Sequence, residues 1–375
     1  MPFGTATLMD SRRKLALEVI GHGMSLSEAC RRAGVTRKTG RKWVERARAD
    51  AIDKIAELSR RPKNIPLRTS RETELALVTL KEKYPYWGPR KLAKRLLEDE
   101  GIKVARRTAE RILQREGLTK PVPRREPVQH FERATCGSLL QMDFKGLPVS
   151  TPYSILTVLD DHARFCLGFG PVPDKTGPSV KAFLWDLFGE HGLPDEMLMD
   201  NGDCWGAVKS WAPTAFEAWL MRLGIKPIHG RPGHPQTQGK VERFHGTAKL
   251  EIGNALFQRD VERCRAECQL FVERYNWVRP HESLADAVPG SRYAPFARKR
   301  PDSVPVPQPQ PGDVTRKVRE NGYITFKQED YKVGRGLAED HVQLREDVGG
   351  LRVFYANFPL AYLSELGPSR TFGER

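Results

Sequence analysis

Leu139-Leu140-Gln141-Met142-Asp143-Phe144 is a short apolar stretch with one carboxylate inside it. Its length and composition predict a β-strand, and two more strands are predicted at Tyr153–Leu159 and Phe165–Gly170. An isolated charge is expensive to bury, so Asp143 needs a cation or hydrogen-bond donors beside it. We therefore expect a sheet that begins with three successive strands, with an acidic group inside the first of them.

Two further carboxylates follow in contexts that suit a shared site. Asp200 ends a predicted strand, Glu196–Met199, and Glu242 begins a predicted helix, about Lys240–Leu256. Each also has an ordinary interpretation, a turn for Asp200 and a solvated helix face for Glu242. If the three carboxylates converge, two divalent ions would neutralise them and clamp the oxygens of a phosphoryl transfer. Mg²⁺ suits such a site because it accepts a few carboxylates together with phosphate oxygens and waters.

Around these carboxylates, short apolar runs alternate with amphipathic helices. Helices are predicted near residues 178–190, 215–223, 240–256 and 261–275, with a further strand at 225–228. Hairpin strands first and βαβ units later indicate an α/β core, with a mixed sheet and helices on both faces. We expect this core to span residues 128–293.

The charge of the chain is concentrated in its first third. The chain has 62 Lys+Arg and 47 Asp+Glu, a formal net charge of +15. Residues 1–127 carry 31 of the basic and 16 of the acidic residues, a surplus of 15, so the rest is neutral. A one-sided surplus indicates a module that binds a polyanion, with nucleic acid the leading candidate. A protein that merely happens to be basic is the alternative.

Residues 11–50 predict a helix-turn-helix. Ser25 followed by Glu28 is a capping box that opens a helix over Leu26–Arg32, and a turn at residues 33–35 leads to a second, basic helix capped by Thr36. The second helix of such a motif suits the major groove of DNA. A solvated charged helix is the alternative. The cations that we expect to contact DNA here are Arg37, Lys38, Arg41 and Lys42.

Residues 70–120 predict a second helix-turn-helix module, so that the N-terminal third is all-α. Its helices are expected at about Arg71–Lys83, Pro89–Glu100 and Arg106–Glu116, with Gly101 and Gly117 as stops. Two basic modules in tandem imply a bipartite footprint on double-stranded DNA. The cations that we expect to contact DNA from this module are Arg90, Lys91, Lys94, Arg106 and Arg107.

The C-terminal part predicts a small all-β domain. Ala294–Asp313 is rich in proline and reads as a stiff linker. Beyond it, short strand-like runs are separated by the turn dipeptides Asn321-Gly322 and Gly349-Gly350, which predict a small β-barrel over residues 313–366.

The cysteines and the apolar runs indicate in which cellular compartment the protein is expected. The six cysteines are scattered, and Cys264 and Cys268 have no nearby His or Cys pair to complete a zinc site. We expect free thiols in a reducing cytoplasm. No signal peptide is recognisable, and no apolar run approaches the ~18 residues of a membrane span. No membrane partner is expected.

Taken together, the motifs resemble the catalytic core of retroviral integrases and of the bacterial insertion-sequence transposases related to them. Gln141-Met142-Asp143, Asp200-Asn201-Gly202 and the run from His234 to Arg243 each match in the expected order. Trp87-Gly88-Pro89-Arg90-Lys91 resembles the second helix-turn-helix module of those transposases, and Tyr275-Asn276 resembles the helix end after their core. The resemblance covers residues 25–300.

This resemblance implies an RNase H-like core that depends on two Mg²⁺ or Mn²⁺ ions and acts as a homo-oligomer on paired DNA ends. It implies that Asp143, Asp200 and Glu242 are both the metal ligands and the catalytic residues, and that Asn201 shapes the site. Asp160-Asp161 resembles an acidic pair with a structural role. Further DNA contacts are implied for Lys240, Arg243 and Lys249.

The chain departs from the family pattern in two places. The 41 residues between Asp200 and Glu242 are more than family members commonly have, and Trp205 and Trp211 suggest a small packed insertion within Gly202–Pro213. The N-terminal zinc module of retroviral integrases is replaced by a helix-turn-helix, since only His22 and Cys30 precede residue 130. This replacement favours a bacterial element over a virus, and a protein associated with the nucleoid.

The function that we expect is that of a DNA transposase. It would bind the terminal inverted repeats of a mobile element, cleave at the ends and join the 3′-OH ends to target DNA. A sequence-specific DNA-binding regulator with an inactive core is the main alternative. A DNA-binding scaffold and a nuclease acting on RNA–DNA hybrids are others, although tandem helix-turn-helix modules favour a duplex DNA target.

Overall fold

The computed structural model describes residues 8–49, 52, 69–119, 132–146, 151–200, 202, 205, 212–230 and 239–366. The chain divides into two compact units, Met1–Thr69 and Ser70–Arg375. Several sites of interest in the sequence lie outside the described residues, among them Asn201, Cys204, Trp211 and the loop 231–238.

The first unit contains three helices: α1 (Leu8–Ile20), α2 (Leu26–Arg32) and α3 (Arg37–Ala49). Ser25 caps α2 as predicted, because its side chain accepts a hydrogen bond from the Glu28 backbone N–H at 3.3 Å. Gly34 makes the turn with a φ of 64°, in the left-handed region that favours glycine. Trp43 and Val44 face inward, with 3% and 5% of their surfaces exposed.

The second unit opens with the helices α4 (Arg71–Lys83), α5 (Pro89–Glu100) and α6 (Arg106–Arg115). Ser70 caps α4, Pro89 lies in the first turn of α5, and Gly101 ends α5 with a φ of 70°. These boundaries match the sequence prediction closely. A buried cluster that includes Trp87 and Leu92 holds the three helices together.

A five-stranded mixed sheet forms the centre of the second unit. Its strands are β1 (Leu140–Lys145), β2 (Ser154–Asp160), β3 (Cys166–Val172), β4 (Glu196–Met199) and β5 (Lys226–His229). The order is β3-β2-β1-β4-β5. The first three strands are antiparallel, whereas β1, β4 and β5 run parallel to one another. The predicted mixed sheet is confirmed.

Helices cover both faces of this sheet, as predicted. They are α7 (Gly177–His191), α8 (Ala215–Arg222), α9 (Gly239–Leu256) and α10 (Val261–Trp277). Residues such as Phe188 and Leu220 of α7 and α8 belong to the cluster on one face, and Phe244 and Phe271 of α9 and α10 to the cluster on the other. Because α9 and α10 occupy one face together, the helix that carries Glu242 is fixed against β1 and β2.

The C-terminal strands do not form the predicted barrel. They are β6 (Val314–Lys317), β7 (Tyr323–Phe326), β8 (Glu329–Lys332), β9 (His341–Asp347), β10 (Gly350–Tyr355) and β11 (Phe358–Tyr362), followed by α11 (Leu363–Leu366). In the described residues they form an open sheet, β11-β10-β9-β6, and a separate hairpin, β7-β8, so neither sheet closes. Closure is unnecessary because Ala218 and Met221 of α8 and Leu363 of α11 cover the apolar face.

Two further observations concern the thiols and the apolar character of the helices. Among the described residues, the cysteines Cys30, Cys136, Cys166, Cys264 and Cys268 are free thiols. Of the helices that the structure describes, none combines the length and the apolar composition needed to span a membrane.

Candidate active site

Asp143 and Asp200 meet at one edge of the sheet. The parallel register of β1 and β4 sets Leu140 beside Met197 and Gln141 beside Leu198. Continued along both strands, it brings Asp143 level with Asp200. Both carboxylates line a cavity of about 650 Å³. Two acidic side chains that are 57 residues apart in the sequence are therefore neighbours in the fold.

Glu242 approaches this edge from α9, in the first turn of the helix, where it is exposed. One turn later, His245 seats α9 on the sheet. The Nε2 atom of His245 is 2.7 Å from the Thr157 hydroxyl oxygen, and its Nδ1 atom is 3.7 Å from Oδ2 of Asp143. Since Thr157 is the cross-strand partner of Asp143, His245 ties the helix of Glu242 to the strand pair that carries Asp143.

The pKa of Asp143 reflects its burial and the two other carboxylates. Burial raises the pKa of Asp143 to about 6, and repulsion from Asp200 and, more weakly, from Glu242 adds to the shift. Repulsion between like charges in one cavity disfavours their ionisation, and a bound cation reduces this repulsion. The site is therefore short of positive charge.

A local network holds the side chain of Asp200. Its Oδ1 atom accepts hydrogen bonds from the Trp205 indole N–H and, at 3.0 Å, from the Gly202 backbone N–H. Trp205 is 1% exposed and stacks on Phe144, with ring centroids 4.9 Å apart. Trp205 is thus packed, as predicted, and its ring links the strand of Asp143 to the side chain of Asp200.

His229 supports Asp200 from the end of β5. Its Nδ1 atom lies 3.0 Å from the Asp200 carbonyl oxygen, and its Nε2 atom lies 2.8 Å from Oε1 of Glu217. Both partners can only accept hydrogen bonds, so both ring nitrogens must donate and the imidazole is cationic. The hydrogen bond to Glu217 raises the pKa of His229 accordingly. A positive group thus lies directly behind Asp200.

The acidic pair at the end of β2, Asp160-Asp161, has a structural role, as expected. Asp160 accepts hydrogen bonds from the backbone N–H groups of Gly137 and Ala163. Asp161 is fully buried and accepts from the Gln141 amide and from the ammonium group of Lys240. Lys240 therefore anchors the start of α9 to the sheet, and we leave it out of the DNA interface proposed below.

Three of the predicted DNA contacts of the second helical module lie on α5. Arg90 pairs with Glu282 at 2.5 Å and with Asp286 at 2.8 Å, and burial lowers the pKa of its neighbour Lys91 to about 7. Arg90 is thus engaged within the chain, which the sequence prediction did not anticipate. Lys94 pairs with Glu98 of its own helix at 3.1 Å.

The remaining predicted contacts are exposed cations. Within the part of the chain that the structure describes, no ion pair engages any of them. They are Arg37, Lys38, Arg41, Lys42, Arg106, Arg107, Arg243 and Lys249.

The oxygen donors at the sheet edge fit a hard divalent cation. Mg²⁺ is usually bound by one or two carboxylates together with phosphate oxygens and waters, and Asp143 and Asp200 supply that pair. Among the described residues, no three Asp, Glu, His or Cys side chains are close enough to ligate one ion together. Glu242 is accordingly near enough to repel Asp143 but not within a common ligand sphere, and the loop 231–238 before its helix is not described.

The sequence did not single out Lys175, which lies at the same cavity. Together with Thr176 and Gly177, it lines the cavity that Asp143 and Asp200 also line. Its ammonium group is 5.3 Å from the centroid of the Phe144 ring, and in the described chain no carboxylate pairs with it. An exposed lysine in a loop carries no sequence signal, because only the fold brings it to the carboxylates.

The chain thus combines an acidic edge on a mixed sheet with basic helical modules that precede it. Family models match the same parts of the chain. Residues 135–235 and 223–289 match two models that are both described as integrase core domain. Residues 11–63 match a helix-turn-helix domain and residues 39–113 a homeodomain-like domain. The chain thus carries an integrase core domain together with helix-turn-helix domains, as expected of an insertion-sequence DDE transposase.

Solved structures that are similar to the chain include retroviral integrases. The catalytic core domain of BIV integrase is 24% identical over 41% of this chain and 92% of its own length, with a TM-score of 0.33. The HTLV-2 integrase catalytic core domain in complex with magnesium is 14% identical over 43% and 99%, with a TM-score of 0.34. A simian T-cell lymphotropic virus intasome with the PP2A subunit B56 gamma is 14% identical over 76% and 98%, with a TM-score of 0.37. Similarity at this level adds no argument about the chemistry of this chain.

Proposed function

We propose that the protein is a DNA transposase. It would bind the terminal inverted repeats of a mobile element, cleave at the ends and join the 3′-OH ends to target DNA by metal-dependent phosphoryl transfer. One observation carries this proposal. Asp143 and Asp200 share a cavity at the sheet edge, and Glu242 is close enough to raise the pKa of Asp143 further.

In this proposal Asp143 and Asp200 hold Mg²⁺ or Mn²⁺, and Glu242 completes the site when DNA is bound. The bound ions, of which we expect two, would supply an activated water or 3′-hydroxyl and neutralise the charge that develops on the phosphate. The protein contributes positioning. Trp205 and His229 orient Asp200, while His245 aligns the helix of Glu242 with the strand of Asp143. No covalent protein–DNA intermediate is needed, so no nucleophilic side chain is assigned.

Exposed cations would form the DNA interface. Arg37, Lys38, Arg41 and Lys42 lie on α3, the second helix of the first helix-turn-helix, which suits a major groove. Arg106 and Arg107 begin α6 of the second module, whereas Lys94 of α5 is only half-exposed and pairs with Glu98. Arg243 follows Glu242 on α9, and Lys249 lies seven residues beyond Glu242 on the same helix. We propose that a homo-oligomer brings two element ends together, since joining both ends to one target requires paired sites.

Lys175 would contact a phosphate of the DNA strand in the cavity. We expect Lys175→Ala to weaken binding of duplex DNA about tenfold, the loss of roughly 1.4 kcal/mol of charged contact. The slope of log affinity against log salt should also fall by about 0.9, the value for one phosphate contact. Titrations of labelled DNA at several salt concentrations measure both quantities.

The matched control for Lys175→Ala is Lys226→Ala. Lys226 begins β5 at the far end of the parallel strands, and its ammonium group already pairs with Glu196 at 3.3 Å. We expect Lys226→Ala to bind DNA like the wild type and Lys175→Arg to retain most of the affinity. A salt slope that is equal in Lys175→Ala and the wild type would exclude the phosphate contact.

The experiment that tests the function uses duplex DNA carrying the sequences that flank the coding region. In the presence of Mg²⁺, we expect cleavage that exposes a 3′-OH at the boundary of an inverted repeat. The DNA-binding regulator is the second candidate, because the helix-turn-helix modules would serve it equally. Tight binding to these sequences without cleavage in either Mg²⁺ or Mn²⁺ would favour the regulator and contradict the transposase.

A further inference from the structure

The segment Trp87-Gly88-Pro89-Arg90 contains the end of the α4–α5 connection and the start of α5. It contacts the core. Trp87 is 1% exposed and stacks on Tyr84, with ring centroids 4.1 Å apart. Its indole N–H donates a hydrogen bond to Oε1 of Glu251 at 3.2 Å. Glu251 belongs to α9, so this contact joins the second helical module to the helix that carries Glu242.

Glu251 receives three donors from three different segments. Besides Trp87, it accepts hydrogen bonds from Nε of Arg274 at 3.2 Å and from Nε of Arg279 at 3.3 Å. Its side chain is only 6% exposed. A carboxylate this deeply buried is stable only when charged and polar donors surround it. The site on α9 is therefore built to receive the indole.

Three residues after Trp87, Arg90 makes a second set of contacts with the core. Its guanidinium group donates to Asp286 at 2.8 Å and to Glu282 at 2.5 Å, in the turn that follows α10. Asp286 is 21% and Glu282 is 73% exposed, so Asp286 is the better shielded partner. Val278 adds an apolar contact, since it packs against the buried cluster of the module.

We propose that Trp87 and Arg90 are a docking element that fixes the second helical module on the catalytic core, with Glu251 and Asp286 as its receptor. This assigns to the segment a role other than DNA contact. The DNA-facing cations of the module are then those that the core leaves exposed, Arg106 and Arg107 on α6.

The position of Glu251 gives the docking element a functional consequence, which rests on the proposed function. Glu242 and Glu251 are nine residues apart on α9, about 13 Å at the rise of an α-helix. The only non-helical backbone in α9 is at Ile252, directly after Glu251, so the segment between the two glutamates is regular helix. A docked module therefore holds its DNA at a set distance from the carboxylates, and cleavage falls at a set position.

A double-mutant cycle with Arg90→Gln and Asp286→Asn tests the docking. Asparagine suits position 286, where φ is 66°, because it tolerates the left-handed region. In thermal unfolding of the full chain, we expect each single variant to lower Tm by about 2–4 °C. The double variant should lower Tm no further than Arg90→Gln alone, because the two side chains act on the same contact. Arg95→Gln is the control, since Arg95 pairs with Asp99 of its own helix. Additive shifts in the cycle would overturn the proposal.

Binding of mixed-sequence duplex DNA separates docking from DNA contact. We expect Arg90→Gln to match the wild type in affinity and in salt slope, whereas Arg106→Gln should lose about 0.9 from the slope. On element-end DNA, Arg90→Gln should cut at scattered positions, while Arg95→Gln cuts where the wild type does. A reduced salt slope in Arg90→Gln would identify it as a DNA contact and overturn the proposal. If the wild type did not cut any DNA, the transposase assignment would fail, but unfolding and binding would still decide the docking.

Discussion

Replacing Asp200 with asparagine is expected to slow DNA cleavage by about a thousandfold or more while the fold persists. The carboxylate would stabilise the bound cation, and losing about 4 kcal/mol of transition-state stabilisation corresponds to a thousandfold in rate. Asparagine keeps an oxygen that can accept from the Trp205 indole and the Gly202 N–H, so the network around residue 200 remains. Initial rates on element-end DNA in Mg²⁺ measure the loss of cleavage, and thermal unfolding in parallel shows whether the fold persists.

Asp195→Asn is the matched control for this variant. Asp195 precedes the same strand, but its side chain is 69% exposed and lies at the opposite edge of the sheet. We expect Asp195→Asn to cleave at the wild-type rate. Cleavage by Asp200→Asn within a factor of about three of the wild type, less than 1 kcal/mol, would rule out Asp200 as a metal ligand.

Replacing Asp161 with alanine is expected to destabilise the second unit by about 3–5 kcal/mol, the usual cost of removing one partner of a buried ion pair. Asp161 is fully buried, and the Lys240 side chain that it pairs with is 14% exposed. The substitution also withdraws the acceptor of the Arg133 N–H and of the Gln141 amide. Because Lys240 is two residues from Glu242, the start of α9 should loosen as well.

Denaturant unfolding of the full chain, followed by tryptophan fluorescence, measures this loss. Asp161→Ala combined with Lys240→Met should cost less than Asp161→Ala alone, because the double variant buries no uncompensated charge. Asp195→Ala controls for the removal of an aspartate as such. A loss below about 1 kcal/mol in Asp161→Ala would mean that this ion pair does not anchor α9.

Local signals in the sequence were enough to predict most of the elements of the core and of the helical modules. The strand Glu196–Met199 and the helix Pro89–Glu100 have the bounds that apolar runs, Pro89 and Gly101 indicate. The pairing of Asp143 with Asp200 could also be anticipated, since both end or interrupt strands of one sheet. These features depend on neighbours in sequence or on the periodicity of a single element.

Features that depend on distant partners could not be predicted. Arg90 resembles any cation on a basic helix, and nothing local distinguishes it from Arg106. Only the fold brings it to Asp286, 196 residues later. Lys175 reaches the cavity for the same reason. The C-terminal barrel failed as a prediction because strand patterns do not reveal that α8 and α11 cover the apolar face, which makes sheet closure unnecessary.

A strand-joining assay tests the proposed function most directly, with the wild-type protein, element-end DNA and a plasmid target, in Mg²⁺ and in a chelator. We expect the 3′ end of the element to become covalently joined to the plasmid in Mg²⁺. Joining should vanish in the chelator and in Glu242→Gln. Joined product that persists in the chelator or in Glu242→Gln would contradict a metal site built from Asp143, Asp200 and Glu242.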